Sequence, residues 1–226
     1  MARLLPLMQA QNVPLGVGVE EDSAAVFQHG QMEVLGARGV LVVDLSEATR
    51  NPALPHFNVA GATLHWLESG DRFDIATRRV QAAPPQLQGT LLAPLNAAHK
   101  GYHRGPAFFT DTLAEGQFVK AMARLVDSDQ RELRGLAFAP LPGSDDPAPT
   151  LGFEWRLWVD ENTRGWLTLQ ARGLHADRCA AGRATRAHGA AAVPRLAAVT
   201  SQSHGFLLLP RFSLLALVWC CTLNGT

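Results

Sequence analysis

Apolar and polar positions along this chain alternate in short runs, the period of strands, and only two stretches carry a helical rhythm. Leu4, Leu5, Leu7 and Met8 supply an apolar helical face, with Pro6 requiring that the helix start near it or kink there. Asn12 to Pro14 reads as a stop, and Leu15 to Val19 as a strand. Ala25–Gln28 and Gln31–Leu35 then predict a hairpin closed by His29-Gly30, because glycine at the second turn position accepts positive φ. Gly36 to Gly39 makes the next turn, and the unbroken apolar run Val40–Asp44 predicts an inner strand buried on both faces.

After a loop holding Pro52 and Pro55, Val59 to Leu67 predicts a strand with Ala62, Leu64 and Trp66 on one face and Thr63 and His65 on the other. Glu68-Ser69-Gly70-Asp71 turns it into Arg72–Ile75, and Arg78-Arg79 ends the unit. Residues 82–106 lack a period and read as a linker or long surface loop. A helix capped by Asp111 or Thr112 runs to about Val126, with Leu113, Phe118, Met122 and Leu125 as its stripe and Gly116 weakening it. Leu133–Ala139 and Gly152–Val159 read as strands. In the second, Phe153, Trp155, Leu157 and Val159 alternate against Glu154, Arg156 and Trp158, and residues 160–165 turn it back into residues 166–169. These elements divide the chain into residues 1–80, a linker over 81–110, a small α+β extension over 111–171, and a tail over 172–226.

Composition sharpens the last boundary. Net charge is zero, yet residues 1–171 carry 14 basic and 19 acidic side chains, and residues 172–226 carry six arginines and one aspartate. The tail arginines are scattered among Ala and Gly without interleaved aromatics, so no nucleic-acid partner is expected. Phe206–Leu223 is apolar but broken by Pro210-Arg211, short of the roughly 20 residues of a membrane span. A membrane anchor there ranks below a low-order tail from a shifted reading frame. Cys179, Cys220 and Cys221 imply no disulfide framework, which fits a reducing, cytoplasmic setting.

Three acidic residues in a row, Glu20-Glu21-Asp22, close the strand at Leu15–Val19 and form the main concentration of candidate chemistry. Their mutual repulsion predicts a partner elsewhere for at least one. Gly16 and Gly18 do not make a dinucleotide fingerprint, since the third glycine is missing and another strand follows. No phosphate loop or G-x-S-x-G elbow is found, and the string at Ser201–Gly205 lacks the first glycine. His99 and His103 have Gly101 between them and Pro106 after them, which disfavours a metal-binding helix. His65 reads as a structural histidine and His29 as a turn residue. Asp71 and Asp74 read as a turn cap with Arg72 or Arg78 as a partner. No metal and no cofactor are expected.

The segment Leu15-Gly16-Val17-Gly18-Val19-Glu20-Glu21-Asp22-Ser23-Ala24, after Arg3-Leu4-Leu5 and Gln11-Asn12, resembles the G-[IL]-G-[IV]-[DE]-E-[DN]-[ST]-A pattern of the cyanophycinase-like serine peptidases. Phe27–Gly36, Gly39–Asp44 and Leu64–Asp74 resemble the meander that follows it in that family. The likeness covers residues 3–79, is weaker to 171, and leaves out the tail. It implies the C-terminal part of an α/β sheet like that of class I glutamine amidotransferases, here mostly strands and hairpins with few helices. It also implies a Ser-His-Glu triad in which Glu21 orients the histidine. The family's serine elbow and D-Q-H-F histidine match no residue here and are expected N-terminal to residue 1, so the chain is expected to be inactive by itself. A peptide or cyanophycin-like substrate then requires that the missing half be supplied. A non-catalytic, β-rich interaction module is the alternative, and a homo-oligomer is compatible with either.

Overall fold

The computed structural model describes residues 2–54, 57–137, 152–167, 179–180, 182–190 and 214–217, the last three as backbone strands. Helix α1 (Leu4–Gln11) opens the chain. The helix starts near Pro6, as the sequence predicts, with Pro6 in its first turn, where an amide hydrogen has no helical acceptor to lose. Asn12 closes it in the left-handed conformation, with Asn12 N–H donating to Gln9 O and Val13 N–H to Met8 O.

Strands β1 (Leu15–Val19), β2 (Ser23–Gln28), β3 (Gln31–Gly36), β4 (Val40–Asp44) and β5 (Ala60–Leu67) follow. The β2–β3 hairpin turns on His29 and Gly30, both at positive φ, the geometry that suits the right-handed twist of its strands. All of β4 is buried. It is a central strand, although both its neighbours, β1 and β5, run antiparallel to it. The second half of β5 is buried on both faces, so His65 does not face solvent. Its ring lies 5.5 Å from that of Phe73, under a second sheet.

That second sheet has the order β2-β3-β6-β7, where β6 is Arg72–Asp74 and β7 is Arg79–Gln81. Arg79 therefore begins a further strand rather than ending the unit. Met32, Val34 and Phe73 from this sheet pack on Leu15, Val17, Val40, Val42 and Leu67 from the main one. Residues 82–106 are mostly irregular, with one short helix, α2 (Pro84–Leu87), and strand β8 (Thr90–Leu92).

After β9 (Phe108–Phe109), helix α3 spans Gln117–Val126 and starts later than the sequence predicts. Asp111 Oδ1 accepts from Leu113 and Ala114 N–H, closing a separate turn. Gly116 then sits at φ +67°, left-handed, and acts as the hinge at which the helix begins. Thr112 is no cap. Its buried hydroxyl donates to Leu136 O at 2.6 Å and accepts from Trp155 Nε1 at 2.9 Å, fastening the turn to β10 (Glu132–Ala137) and β11 (Phe153–Trp158). Trp155 also meets Phe118 edge to face, with centroids 5.6 Å apart. In β11 the alternation of buried and half-exposed residues follows the sequence.

Strand β12 (Gly165–Leu167) does not return along β11. It joins β8 and β13 (Cys179–Ala180) in a three-stranded sheet. With β14 (Gly182–Ala190) and β15 (Leu214–Leu217), the main sheet has eight strands in the order β15-β1-β4-β5-β14-β11-β10-β9. One face of this sheet carries α1, α3 and a core of Leu41, Val43, Leu64, Trp66 and Trp155, and around β1, β4 and β5 the other carries the second sheet. The molecule is thus β-rich and α/β-like.

Candidate functional site

The acidic corner forms where the chain leaves the main sheet for the second one. Strand β1 is buried at Leu15, Gly16 and Val17, since Met8 of α1 lies against Gly16 on one face and the second sheet covers the other. Past Val19 the backbone turns out of that cover. Glu20 is half-buried, and Glu21 and Asp22 are exposed.

The Gly36–Gly39 turn fixes this corner by main-chain bonds. Glu20 N–H donates to Gly39 O at 3.1 Å, and Asp22 O accepts from Ala37 N–H at 2.8 Å. Ser23 Oγ accepts from both Arg38 N–H, at 3.1 Å, and Gly39 N–H, at 2.8 Å. Gly36, at φ +116°, lies so close that a Cβ there would overlap the carbonyl oxygen of Asp22. Glu21 is the apex, its neighbours' backbones pinned on both sides and its side chain in solvent.

Among the described residues, none of the three carboxylates has an ion-pair partner, contrary to the sequence expectation. Exposure explains the difference, because water and salt screen the repulsion that a buried cluster would have to neutralise. The nearby cation, Arg38, pairs instead with Glu115 in the segment leading to α3. An exposed carboxylate on a fixed backbone can accept a hydrogen bond from an incoming imidazole without first breaking an ion pair.

The remaining sequence candidates resolve as structural. Asp71 is fully buried. Its Oδ1 accepts from Ala83 N–H at 2.7 Å and its Oδ2 from Glu68 N–H at 2.8 Å, which ties the β5–β6 turn to the chain leaving β7. Burial pushes its carboxyl above the usual aspartate range, and the two amide bonds oppose that shift. Neither expected arginine reaches it: Arg72 pairs with Glu33 at 2.9 Å, and Arg78 lies 3.7 Å from Asp44. Asp74 is held below the usual range by the backbone and hydroxyl of Thr77. His99 and His103 lie in irregular chain, and among the described residues no group of three His, Cys, Asp or Glu side chains could hold a metal. The described residues also include no helix long and apolar enough to cross a membrane. Cys220, Cys221, Ser201–Gly205 and most of Phe206–Leu223 lie outside the described residues.

The Ser23 clamp and the buried state of Asp71 were missed in the sequence. Ser23 had a signal, a hydroxyl directly after a turn of acids. Asp71 had none, because its burial depends on Ala83 returning from β7.

No protein-family profile matches the chain. Over 90 residues it is 38% identical to cyanophycinases of Trichormus variabilis and of a Nostoc species, an alignment covering 37% of this chain and 30% of each relative. Over 105 residues it is 32% identical to a cyanophycinase of Synechococcus elongatus, covering 42% of this chain and 30% of that relative. The chain thus matches less than a third of the length of these curated relatives, and over that segment the resemblance to cyanophycinases is borne out.

Proposed function

We propose that this chain is the acid-bearing portion of a cyanophycinase-like serine peptidase, with Glu21 as the carboxylate that orients the catalytic histidine. The observation that carries the reading is Glu21 itself, exposed at the apex of a corner whose backbone is pinned on both sides. A triad acid needs that rigidity, since it works by holding an imidazole in one tautomer and orientation. On this reading the main sheet is part of a glutamine amidotransferase-like sheet, residues 1–80 are its C-terminal half, and 81–110, 111–171 and 172–226 are linker, extension and tail.

No residue of this chain matches the family's G-x-S-A-G or D-Q-H-F strings. On this reading the nucleophile and imidazole are supplied by the portion of a cyanophycinase-like polypeptide that lies outside the matched segment, and the residues of this chain do not cut peptides without it. The curated relatives are named for cyanophycin, and a peptide polymer of that kind is the substrate of the assembled enzyme. The test is reconstitution. The chain is co-expressed with the part of the Trichormus variabilis cyanophycinase on the N-terminal side of the matched segment, and cyanophycin hydrolysis is followed. Hydrolysis by the pair and by neither half alone supports the reading. A complex that forms and stays inert refutes it.

One observation favours the alternative, a non-catalytic interaction module. Strand β2 is an edge strand with no charge and no proline to blunt it, and Val26 and Phe27 are 44% and 39% exposed. A module of that kind stays monodisperse when purified alone, and aggregation argues against it.

A further inference from the structure

Strand β1 (Leu15–Val19) contains only Leu, Gly and Val. Helix α1 covers one of its faces and Met32, Val34 and Phe73 the other, as for a strand well inside a sheet. Its inner edge pairs antiparallel with β4 over five residues, Leu15↔Asp44 to Val19↔Val40. Its outer edge carries neither charge nor proline, the usual means of closing an edge to a partner. That edge is taken by four residues from the far end of the chain, in parallel, Leu15↔Leu214 to Gly18↔Leu217.

Direction matters here. Parallel neighbours end at the same border of a sheet, and β1 ends at the acidic corner. A strand laid parallel on its outer edge therefore delivers whatever follows it in sequence next to Glu21. Such a strand cannot come from the adjoining sequence by a tight turn, because a parallel connection needs a long crossover or a separate chain. The relatives have the chain to supply it, since 70% of their length lies outside the match.

We infer that the outer edge of β1 is the docking edge for the complementary part of a cyanophycinase-like polypeptide, which adds one parallel strand there, and that Leu214–Leu217 occupies the edge in cis until it is displaced. This inference rests on the reading of Glu21 given above and adds where the partner binds and what it must dislodge. The cis strand covers four of β1's five residues, so a strand running its full length has one more pair to gain.

The test uses the full chain, the N-terminal portion of the Trichormus variabilis cyanophycinase as probe, and amide hydrogen exchange. Successive strand residues point their N–H groups to opposite edges, so replacing both Leu215 and Ala216 by proline must delete one bond to β1. The double variant is expected to speed exchange in Leu15–Gly18 at least 10-fold, to leave Met32, Val34 and Phe73 unchanged, and to capture the probe at least 10-fold more tightly. Should that variant not fold, the unmodified chain decides. Saturating probe is then expected to expose the amides of 214–217 at least 10-fold while β1 stays protected. Unchanged β1 exchange in a folded variant, no probe binding by either form, or a tail strand still protected in the complex overturns the inference. A complex that displaces the tail but does not hydrolyse cyanophycin sinks only the catalytic reading. Hydrolysis with the tail strand still protected sinks only this one.

Discussion

Asp71, which the sequence reads as a turn cap with an arginine partner, holds its turn in the fold through backbone amides and not through an arginine. A fully buried carboxylate with a raised pKa invites a mechanistic role, yet its two oxygens are committed to backbone amides, that of Glu68 in the β5–β6 turn and that of Ala83 beyond β7. Its folded pKa lies above the unfolded value, so in the window between the two the folded state holds more protons. Stability therefore falls as pH rises through that window and is flat below the unfolded value. Asp71→Asn leaves one of the two amides without an acceptor and is expected to cost about 1–3 kcal/mol at neutral pH, with the acid-side slope abolished. Urea unfolding at several pH values reads both effects. Ser23→Ala removes the shared acceptor of Arg38 and Gly39 N–H and is expected to cost about 0.5–1.5 kcal/mol, with faster amide exchange at residues 38 and 39. The sequence already set Glu21 apart from Asp71, the one by family resemblance and the other as a turn cap. What it did not give is that Glu21 is exposed and Asp71 fully buried, since exposure depends on which distant segment returns to cover a turn.

Among the elements, those whose neighbours are close in sequence were the legible ones. The His29-Gly30 hairpin, the buried β4 run and the alternation in β11 all follow from local pattern. The helix start at Gln117 was not legible, because Asp111 and Thr112 are both good caps by type and only the fold assigns them other work. Thr112→Val tests that assignment. Losing its hydroxyl strands the indole N–H of Trp155 and is expected to cost about 1–3 kcal/mol, with a shifted Trp emission, whereas a cap mutation would chiefly fray α3. Gly36→Ala tests the clamp from the other strand. Its φ of +116° and the overlap with Asp22 O leave no room for a methyl group, so a loss of more than about 1 kcal/mol is expected, seen as a lowered urea midpoint. Strand β12 was misplaced because a turn at 160–165 fixes where a strand begins and not which sheet receives it.

At the scale of the whole molecule, the layering of helices, a large sheet and a smaller sheet follows from runs apolar on both faces, as in β1, β4 and the end of β5. The order of strands does not follow from them, since β14 inserts between β5 and β11 from more than a hundred residues further along than β5. The site is similarly divided. The carboxylate proposed as its acid, Glu21, was singled out in the sequence by family resemblance, the rigidity of its corner appears only in the fold, and the proposed reading assigns the nucleophile to a portion outside the matched segment. The most direct measurement is cyanophycin hydrolysis by the reconstituted pair carrying Glu21→Gln, beside the unmodified pair and an Asp22→Asn control. The triad role predicts a fall of at least about 100-fold for Glu21→Gln, within the about 10⁴-fold known for removing a triad carboxylate's charge. It predicts equal assembly in all three and activity within about twofold for the control. Hydrolysis by the Glu21→Gln pair at the unmodified rate would contradict it.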